Sequence, residues 1–311
     1  MKKLLRYLLA LYIILTFNFL IPRIMPGDPV TNLLGEDYTV DTERIETLKA
    51  ELGLDKPLFI QYINYWADIL SLNLGYSTHF HQKVTQVILS RLLWTLGLVV
   101  AAILLASIFG TTLGALSGWA KNDIKNKSAT SFFLAVYCTP PFFLSLVLLY
   151  FLSFKLGLFP LKGFYDAGTL GDIIWHMALP VFSLSLFLAA RNYIVMRGSV
   201  IQEKGKFYVL FARAKGLFGR RILFSHVFKN AFLPVLTLVA LDFGFIFSGA
   251  LFVEIVFSLN GMGTLIFDAL LSRDYPVLQG CFLIITVMVV AVNFAVDILY
   301  SFIDPRVKWQ Q

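Results

Sequence analysis

The residues whose types and spacing come nearest to a metal site are two histidines, His79 and His81, on either side of Phe80. Imidazole is a good ligand for nickel and zinc. Two ligands at i and i+2 in a polar loop, with no carboxylate or cysteine beside them, make an incomplete set. The pattern favours a solvated loop, and metal binding by this pair is left open.

The rest of the sequence offers no catalytic constellation. It has no H-E-x-x-H motif and no pattern that suggests a Ser-His-Asp triad, and its cysteines, Cys138 and Cys281, have neither metal nor redox spacing. The phosphate-cradling pattern G-x4-G-K-[S/T] is absent as well, so this chain is not expected to bind ATP or Mg²⁺ itself. We predict a protein without catalytic residues and without a cofactor of its own.

Long apolar blocks must position whatever site the chain has. Hydrophobic residues make up 58% of its 311 residues, charged residues 14%, and the mean hydropathy is +0.76, which predicts an integral membrane protein. A helix needs about 20 residues to cross a hydrocarbon core of about 30 Å. We place spans at 7–25, 93–119, 129–156, 173–196, 230–256 and 277–302. The first block is expected to stay as a span, because no small-x-small cleavage site follows it.

Ionisable side chains inside such spans are functional candidates, because a charge at the centre of a bilayer costs at least about 2.5–3.5 kcal/mol on insertion scales. Asp242 in the fifth span and Asp297 with Asn293 in the sixth meet this criterion. Asp242 either lines a translocation path or makes a structural hydrogen bond, and the sequence leaves both open. For Asp297 the pattern favours a hydrogen bond between helices or a place near the membrane surface.

Two further patterns concern helix packing. Gly110, Gly114 and Gly118 recur every four residues, which places three small residues on one helix face and predicts a close contact with another helix. Pro140 and Pro141 interrupt the third span and predict a break or a kink there.

The charges between the spans predict which side of the membrane each loop occupies, because Lys and Arg in short loops stay in the cytoplasm. The segment after the fourth span has nine basic residues against Glu203: Arg191, Arg197, Lys204, Lys206, Arg213, Lys215, Arg220, Arg221 and Lys229. Residues 28–92 have nine acidic and five basic residues, and residues 254–276 add Glu254, Asp268 and Asp274 against Arg273. Both termini are therefore predicted to be cytoplasmic. The net charge of +7 follows from this topology and does not indicate nucleic-acid binding.

The basic segment at about 205–230 has more internal order than a loop that merely rests on anionic lipid requires. A short amphipathic helix is predicted from Tyr208, Val209, Phe211, Ala212 and Ala214. A glycine follows at 216, where the chain can stop in a left-handed conformation. A second helix is predicted to restart over 220–230 and to run to Leu233 and Pro234. We call residues 205–230 the elbow. A helix–glycine–helix projection from a membrane bundle is suited to docking a partner.

The elbow sequence ARAKGL…NAFLP resembles the cytoplasmic coupling loop of bacterial ABC-importer permeases. Further segments resemble the oligopeptide, dipeptide and nickel branch of that family, specifically its B-type permease subunit. They follow the order of that branch and cover essentially the whole chain: MPGDPV at 25–30, LGLDKPLFIQYINYW at 52–66, LNLGYS at 72–77, TPPFF at 139–143, VEIVFSLNGMG at 253–263, RDYPVLQG at 273–280 and VNFAVDILYSFIDPR at 292–306.

This resemblance implies an all-helical type I ABC-importer permease with six transmembrane helices in the cytoplasmic membrane. Residues 1–92 would form the first helix and an extracytoplasmic segment, and 93–311 the five-helix core. A homologous second permease would complete the pathway, and an extracytoplasmic binding protein would deliver substrate to residues 28–92 and 258–276. Two cytoplasmic ATPases would bind ATP and Mg²⁺ and dock on the elbow at Ala212, Arg213, Ala214, Lys215 and Gly216.

The resemblance leaves the cargo open. Most of this branch carries peptides; nickel or a metal chelate is the alternative, and a secondary transporter is the alternative of a different class. The chain departs from the family at Leu210, where the coupling motif has its first Glu, at Asn260, where Pro is usual, and at Asp242, where the span is usually uncharged. The resemblance therefore does not extend to a contact through that Glu, whereas Asn260 is compatible with a turn.

Overall fold

The computed structural model describes residues 2–24, 55–77, 79–120, 124–244 and 246–303, and within them the fold is almost entirely helical. The MPGDPV motif at 25–30, residues 28–54 of the acidic segment and the DPR sequence at 304–306 lie outside the described residues. The described chain divides into two compact units. One lies within Met1–Leu93 and Thr264–Ile298, and the other within Trp94–Gly263 and Leu299–Gln311.

The described elements, in chain order, are α1 (Lys2–Ile24), α2 (Leu58–Leu70), β1 (Tyr76–Ser77), β2 (Gln82–Lys83), α3 (Val84–Trp119), α4 (Ile124–Cys138), α5 (Pro141–Leu148), α6 (Leu170–Lys204), α7 (Phe207–Ala214), α8 (Gly219–Ile222), α9 (Phe228–Ala231), α10 (Leu233–Gly244), α11 (Ile246–Val256), α12 (Met262–Leu271) and α13 (Tyr275–Ile303). Two π-helical segments, Leu149–Lys155 and Leu223–Val227, continue α5 and join α8 to α9.

Three of the described helices, α3, α6 and α13, are long and apolar enough to cross a membrane. Up to five spans result if each of two bent helix pairs counts as one, and α1 adds a shorter apolar stretch, Leu5–Leu20. Helix α6 continues beyond the predicted end of the fourth span to its C-cap at Gly205. Arg191, Arg197 and Lys204 therefore lie on α6 and not in a loop. Arg191 falls within the predicted span 173–196, so it does not belong with the segment after that span.

The third predicted span, 129–156, is not one straight helix. Helix α4 ends at Cys138, and the second helical part begins at Pro141 with a bend of 108°. Proline fixes its own φ and disfavours helical geometry in the residue before it. Pro140 is accordingly extended, with ψ 138°, and Pro141 occupies the first turn of α5. The predicted break is confirmed, and it divides the apolar block into two helices.

Close packing of α3 on α6 organises the second unit. A Cβ atom built on each glycine of the predicted stripe would lie 2.5 to 2.7 Å from a backbone carbonyl oxygen of α6. The pairs are Gly110 with Ala189, Gly114 with Tyr193 and Gly118 with Arg197. Since carbon and oxygen cannot approach this closely, only glycine allows the observed separation. The predicted helix contact is confirmed.

In the first unit, α1 packs against α2 and α13. The Asn18 side-chain amide donates hydrogen bonds to the Gln279 carbonyl oxygen at 3.0 Å and to the Tyr65 hydroxyl at 3.2 Å. Tyr12 stacks on Trp66 with ring centroids 5.7 Å apart. Residues 264–298, assigned from the sequence to the 93–311 core, pack with the N-terminal helices in the structure because of contacts such as these.

Candidate functional site

The elbow begins directly after α6 and contains α7, a glycine turn and the helical segment from α8 to α9. Helix α7 ends with two backbone hydrogen bonds, from the Gly216 N–H to the Arg213 carbonyl at 2.9 Å and from the Leu217 N–H to the Ala212 carbonyl at 3.2 Å. This is the Schellman arrangement, which satisfies the last carbonyls of a helix. Gly216 has φ +76°. The predicted helix, left-handed glycine and second helix are confirmed.

One face of α7 is buried in a core that lies beneath the elbow. Val209 and Ala212, three residues apart and therefore on the same side of the helix, are 0% and 8% exposed. The core around them contains Ala115, Met196, Val200, Ile222, Leu223, Val227, Ala231 and Val235. The side chain of Ala212 consequently points inward, so its predicted place in a partner contact is corrected to a supporting position.

The opposite face of α7 is also apolar, but it is exposed. Phe207, Leu210 and Phe211 are 81%, 51% and 68% exposed and stand at i, i+3 and i+4, which places them on one face. Ala214 extends this face by one turn and is exposed as well. We call these four residues the outer face of the elbow. A helix that is apolar on both sides is adapted to be covered on both sides.

The elbow also carries exposed basic side chains. Those exposed are Lys206, Arg213, Lys215, Arg220, Arg221 and Lys229. Glu203, the lone acidic residue in this part of the sequence, is already paired with Lys206. The elbow therefore carries positive charge that its own carboxylates do not neutralise. Such a surface attracts an acidic protein or an anionic membrane surface.

Glu203 also connects the end of α6 to the two arms of the elbow. Its carboxylate accepts a hydrogen bond from the Tyr208 hydroxyl at 2.6 Å, and the Asn230 amide donates to the same hydroxyl at 3.4 Å. Burial raises the pKa of Tyr208, and the hydrogen bond to Glu203 raises it further, because a phenolate beside a carboxylate is unfavourable. The neutral hydroxyl therefore joins α6, α7 and α9.

Trp119, at the end of α3, provides a platform for the elbow. The Lys204 ammonium donates to the Trp119 carbonyl oxygen at 2.7 Å, and the cations of Lys204 and Arg213 each lie 5.4 Å from the centre of the indole ring. The roles of Trp119 and Tyr208 were not predicted from the sequence. A usable signal was Glu203, since a lone carboxylate among nine cations invites the question of which neighbours it binds.

Asp242 lies in α10, with a side chain only 4% exposed, and its carboxylate is bound by the guanidinium of Arg191 on α6. From the sequence, Asp242 either lines a translocation path or makes a structural hydrogen bond. The structure shows that it forms an ion pair with Arg191. A role in translocation stays a prediction. Asn293 donates within its own helix, to the Val289 carbonyl at 2.9 Å, and the side chain of Asp297 lies outside the described ones.

His79 and His81 lie between β1 and β2, and both are exposed. This hairpin is anchored by Asp274, whose carboxylate accepts hydrogen bonds from the Ser77 hydroxyl at 2.5 Å and from the His79 backbone N–H at 3.2 Å. Among the described residues, no three His, Cys, Asp or Glu side chains form a group that could hold a metal ion.

Two carboxylates that were counted as surface charge are fully buried. Glu254 and Asp274 are each 0% exposed. Glu254 accepts hydrogen bonds from the Thr95 hydroxyl at 2.5 Å and from the Gly263 N–H at 2.7 Å, in the first turn of α12, directly after the turn that contains Asn260. Buried carboxylates are stable only with such donors. Glu254 and Asp274 therefore hold neighbouring segments in place and, contrary to the charge count, present no charge to a partner.

Comparison with known proteins relates both parts of the chain to one kind of transport system. Residues 110–309 match the family described as "Binding-protein-dependent transport system inner membrane component", and residues 1–99 match the N-terminal family of these membrane components. The chain belongs to this family. As a binding-protein-dependent transport component it has the type I ABC permease fold and is a multi-pass membrane protein.

Three transport proteins are similar to this chain over nearly their whole length. The di/tripeptide transport system permease protein DppB of Pseudomonas aeruginosa is 34% identical, with 94% of this chain and 94% of the relative covered. The dipeptide transport system permease protein DppB of Escherichia coli K12 is 34% identical, with 95% and 93% covered. The glutathione transport system permease protein GsiC of Escherichia coli O6:H1 is 31% identical, with 99% and 98% covered.

Proposed function

We propose that the chain is a permease subunit of an ATP-driven importer that carries peptides across the cytoplasmic membrane. Its family membership and the di/tripeptide, dipeptide and glutathione transport named for its relatives support this proposal. The chain contributes the path and no catalytic residue, and partner ATPases hold ATP and Mg²⁺. Nickel or a metal chelate as cargo, and secondary transport without ATP, are the alternatives that a test must separate.

The elbow docks the ATPase subunits in this proposal. The observation that carries it is the outer face, where three large apolar side chains are exposed on one short helix. Covering apolar surface contributes about 25 cal/mol per Å², so a cleft on a folded partner stabilises this face. The basic residues of the elbow orient an acidic rim of the partner. Arg213, Ala214, Lys215 and Gly216 are exposed and join the contact, while Ala212 supports it from beneath.

The attachments of the elbow transmit its displacement to the bundle. Tyr208 and Lys206 connect α7 to Glu203 at the end of α6, and Lys204 and Arg213 hold the end of α3 through Trp119. When ATP binding moves the docked subunits, α7 moves α3 and α6 with it. Packed helices have discrete arrangements, so a small displacement at the elbow switches the access of the path from one side to the other.

The remaining partners occupy the other faces of the subunit. Both termini lie in the cytoplasm, on the side of the elbow, and a homologous second permease completes the path. A binding protein delivers peptide at residues 28–92 and 258–276. Within the latter segment Asp268 is partly exposed, with a side-chain exposure of 46%, and Arg273 is exposed, so both can contact that protein.

Affinity purification of the tagged chain from mild detergent, followed by mass spectrometry, tests the assembly. Reconstitution in proteoliposomes with the co-purified binding protein then tests the activity, with di- and tripeptides or Ni²⁺ added separately. We expect recovery of ATPase subunits and a second permease, and ATP hydrolysis stimulated by peptide. Stimulation by Ni²⁺ and not by peptides would identify nickel as the cargo in place of peptide. Recovery of the chain without an ATPase, with uptake driven by an ion gradient, would identify a secondary transporter.

A further inference from the structure

Two helices connect the elbow to the rest of the second unit: α6 enters it and α10 leaves it. Away from the elbow, these helices are joined by the ion pair between Arg191 on α6 and Asp242 on α10. The two side chains are 21% and 4% exposed. Both positions lie in apolar stretches that the sequence predicts to be within the membrane.

The path from the elbow to α10 contains a bend. The helix axis changes direction by 53° between Gly219–Ala231 and Leu233–Val239. Pro234 has no N–H to donate to the preceding turn, which weakens the helix at this point. Since the bend lies between the elbow and Asp242, the elbow can tilt there without moving the rest of α10. Something beyond the bend must hold α10 if it is to follow.

Apolar packing beyond the bend holds α10 against α6. Val235 is fully buried with Met196 and Val200 of α6, and Val239 packs against the same core. Val235, Val239 and Asp242 stand at i, i+4 and i+7 and therefore share one face. Hydrophobic contact is non-directional, so it specifies the register of two helices less strictly than a charged hydrogen bond does. The ion pair at the end of this face is directional, so it determines the register of the two helices.

Separating this pair is unfavourable in the membrane, because each group would be left as an uncompensated buried charge. The pair is also held by one contact rather than two. Asp242 Oδ2 and Arg191 Nε have no hydrogen-bond partner within the described part of the chain. A single bonded contact lets the two helices change their mutual angle while the charges stay together.

We propose that the Arg191–Asp242 pair is a brace that makes α10 follow α6 when the elbow moves, so that both are positioning residues for coupling ATP hydrolysis to transport. This inference rests on the proposed function, because it requires an ATP-driven displacement of the elbow. A brace also differs from a direct contact between Asp242 and the cargo in the translocation path. A residue that contacts the cargo changes the KM for the cargo, whereas a brace changes how much cargo moves for each ATP.

The test uses the complete complex in proteoliposomes with its binding protein, and Ala-Ala and Ala-Ala-Ala as probes. The quantity measured is peptide taken up per ATP hydrolysed, together with the KM for peptide. Asp242→Asn and Arg191→Gln are expected to lower this ratio about fivefold or more, with ATP hydrolysis retained and KM unchanged. Asp166→Asn is the matched control, because that carboxylate is 89% exposed and lies on an unrelated loop.

Two double variants distinguish a brace from a pair that only stabilises the fold. Because they leave no unpaired charge, they also provide a test if the single variants fail to assemble. Arg191→Asp with Asp242→Arg is expected to recover much of the ratio. Arg191→Met with Asp242→Leu replaces the pair by apolar side chains, which is often neutral for stability. It is expected to assemble and remain uncoupled, and a wild-type ratio in this variant would overturn the brace.

The remaining outcomes distinguish the two levels of the proposal. A wild-type ratio in both single variants would overturn the brace alone. A raised KM with an unchanged ratio would overturn it in favour of a contact between Asp242 and the peptide. Failure of the unaltered complex to take up peptide with ATP would overturn the proposed function, and the brace with it.

Discussion

The backbone N–H of Leu217 lies 3.2 Å from the carbonyl oxygen of Ala212, and this hydrogen bond closes α7 while turning the chain back over it. The Ala212 side chain is buried, and Leu217 packs against the same core. The same two residues therefore end α7 and pack the elbow against its core. The shape of the outer face depends on the backbone conformation of Gly216, which makes the turn possible.

Gly216→Pro is expected to leave the chain in the membrane and to abolish the coupling of peptide uptake to ATP hydrolysis. Proline fixes φ near −65° and lacks the N–H that Gly216 donates to Arg213. No atom lies within 4 Å of a Cβ built on Gly216, so the effect comes from the backbone and not from a collision. Gly216→Asn is the control, because asparagine tolerates left-handed geometry. Normal uptake by the proline variant would contradict the assigned role of the turn.

Phe211→Asp is expected to reduce the recovery of ATPase subunits at least about tenfold, because loss of a well-buried interface aromatic commonly costs 2 kcal/mol or more. The chain itself should fold, since Phe211 is 68% exposed. Ile124→Asp is the matched control, as Ile124 is 80% exposed at the start of another helix. Equal recovery with both variants would show that the outer face is not the docking surface. Loss of binding to anionic vesicles alone would assign the face to lipid.

Ala212→Arg is expected to act differently from Phe211→Asp, although the two residues are neighbours. Ala212 is 8% exposed, so the arginine would force a charge into the core beneath the elbow. The elbow should become sensitive to proteases in the isolated chain, before any partner is added. Limited proteolysis of both variants provides the comparison. Resistance equal to that of the wild type would show that position 212 can face outward.

Tyr208→Phe is expected to destabilise the elbow by about 1 kcal/mol at neutral pH, through loss of the hydrogen bond to Glu203. The pKa of Tyr208 is raised from its usual 10.0, so the folded state holds the phenolic proton more tightly than the unfolded state. The hydrogen bond therefore contributes its full stabilisation below pH 10, and this stabilisation is lost as the pH rises through the pKa that Tyr208 has in the folded state. Unfolding temperatures of both proteins from about pH 7 to pH 11 should converge at the alkaline end. A difference that widens with pH would contradict the assignment.

Local signals made the elbow predictable. The apolar spacing of α7, the glycine after it and the restart of the helix lie within one short stretch, and each has a direct backbone consequence. The break at Pro140 was predictable for the same reason, since proline acts on its immediate neighbours. The 108° angle of that break was not, because the packing of the two helices determines it.

Long-range partners explain what the sequence could not predict. Counting charges treats every carboxylate as exposed, yet Glu254 is bound by Thr95, 159 residues away, and Asp274 by Ser77, 197 residues away. Arg191 and Asp242 are 51 residues apart, and no local pattern in the sequence predicts that they pair. Only the fold shows which charges meet. For the same reason Ala212 and Phe211, adjacent in the docking motif, could not be assigned to opposite faces by resemblance alone.

Gly114→Ala is expected to destabilise the second unit by about 1–3 kcal/mol, because the contact between α3 and α6 has no room for a methyl group. The added Cβ would lie 2.6 Å from the Tyr193 carbonyl oxygen and 3.0 Å from the Met196 Cβ, and backbone atoms cannot move aside as a flexible side chain can. Gly97→Ala is the matched control on the same helix, with the Met177 methyl at an ordinary 3.8 Å. Thermal unfolding in one detergent should show a Tm lower by several degrees for the first variant and little change for the second. Equal Tm values would mean that the helices separate without loss, which contradicts a close contact held by the glycines.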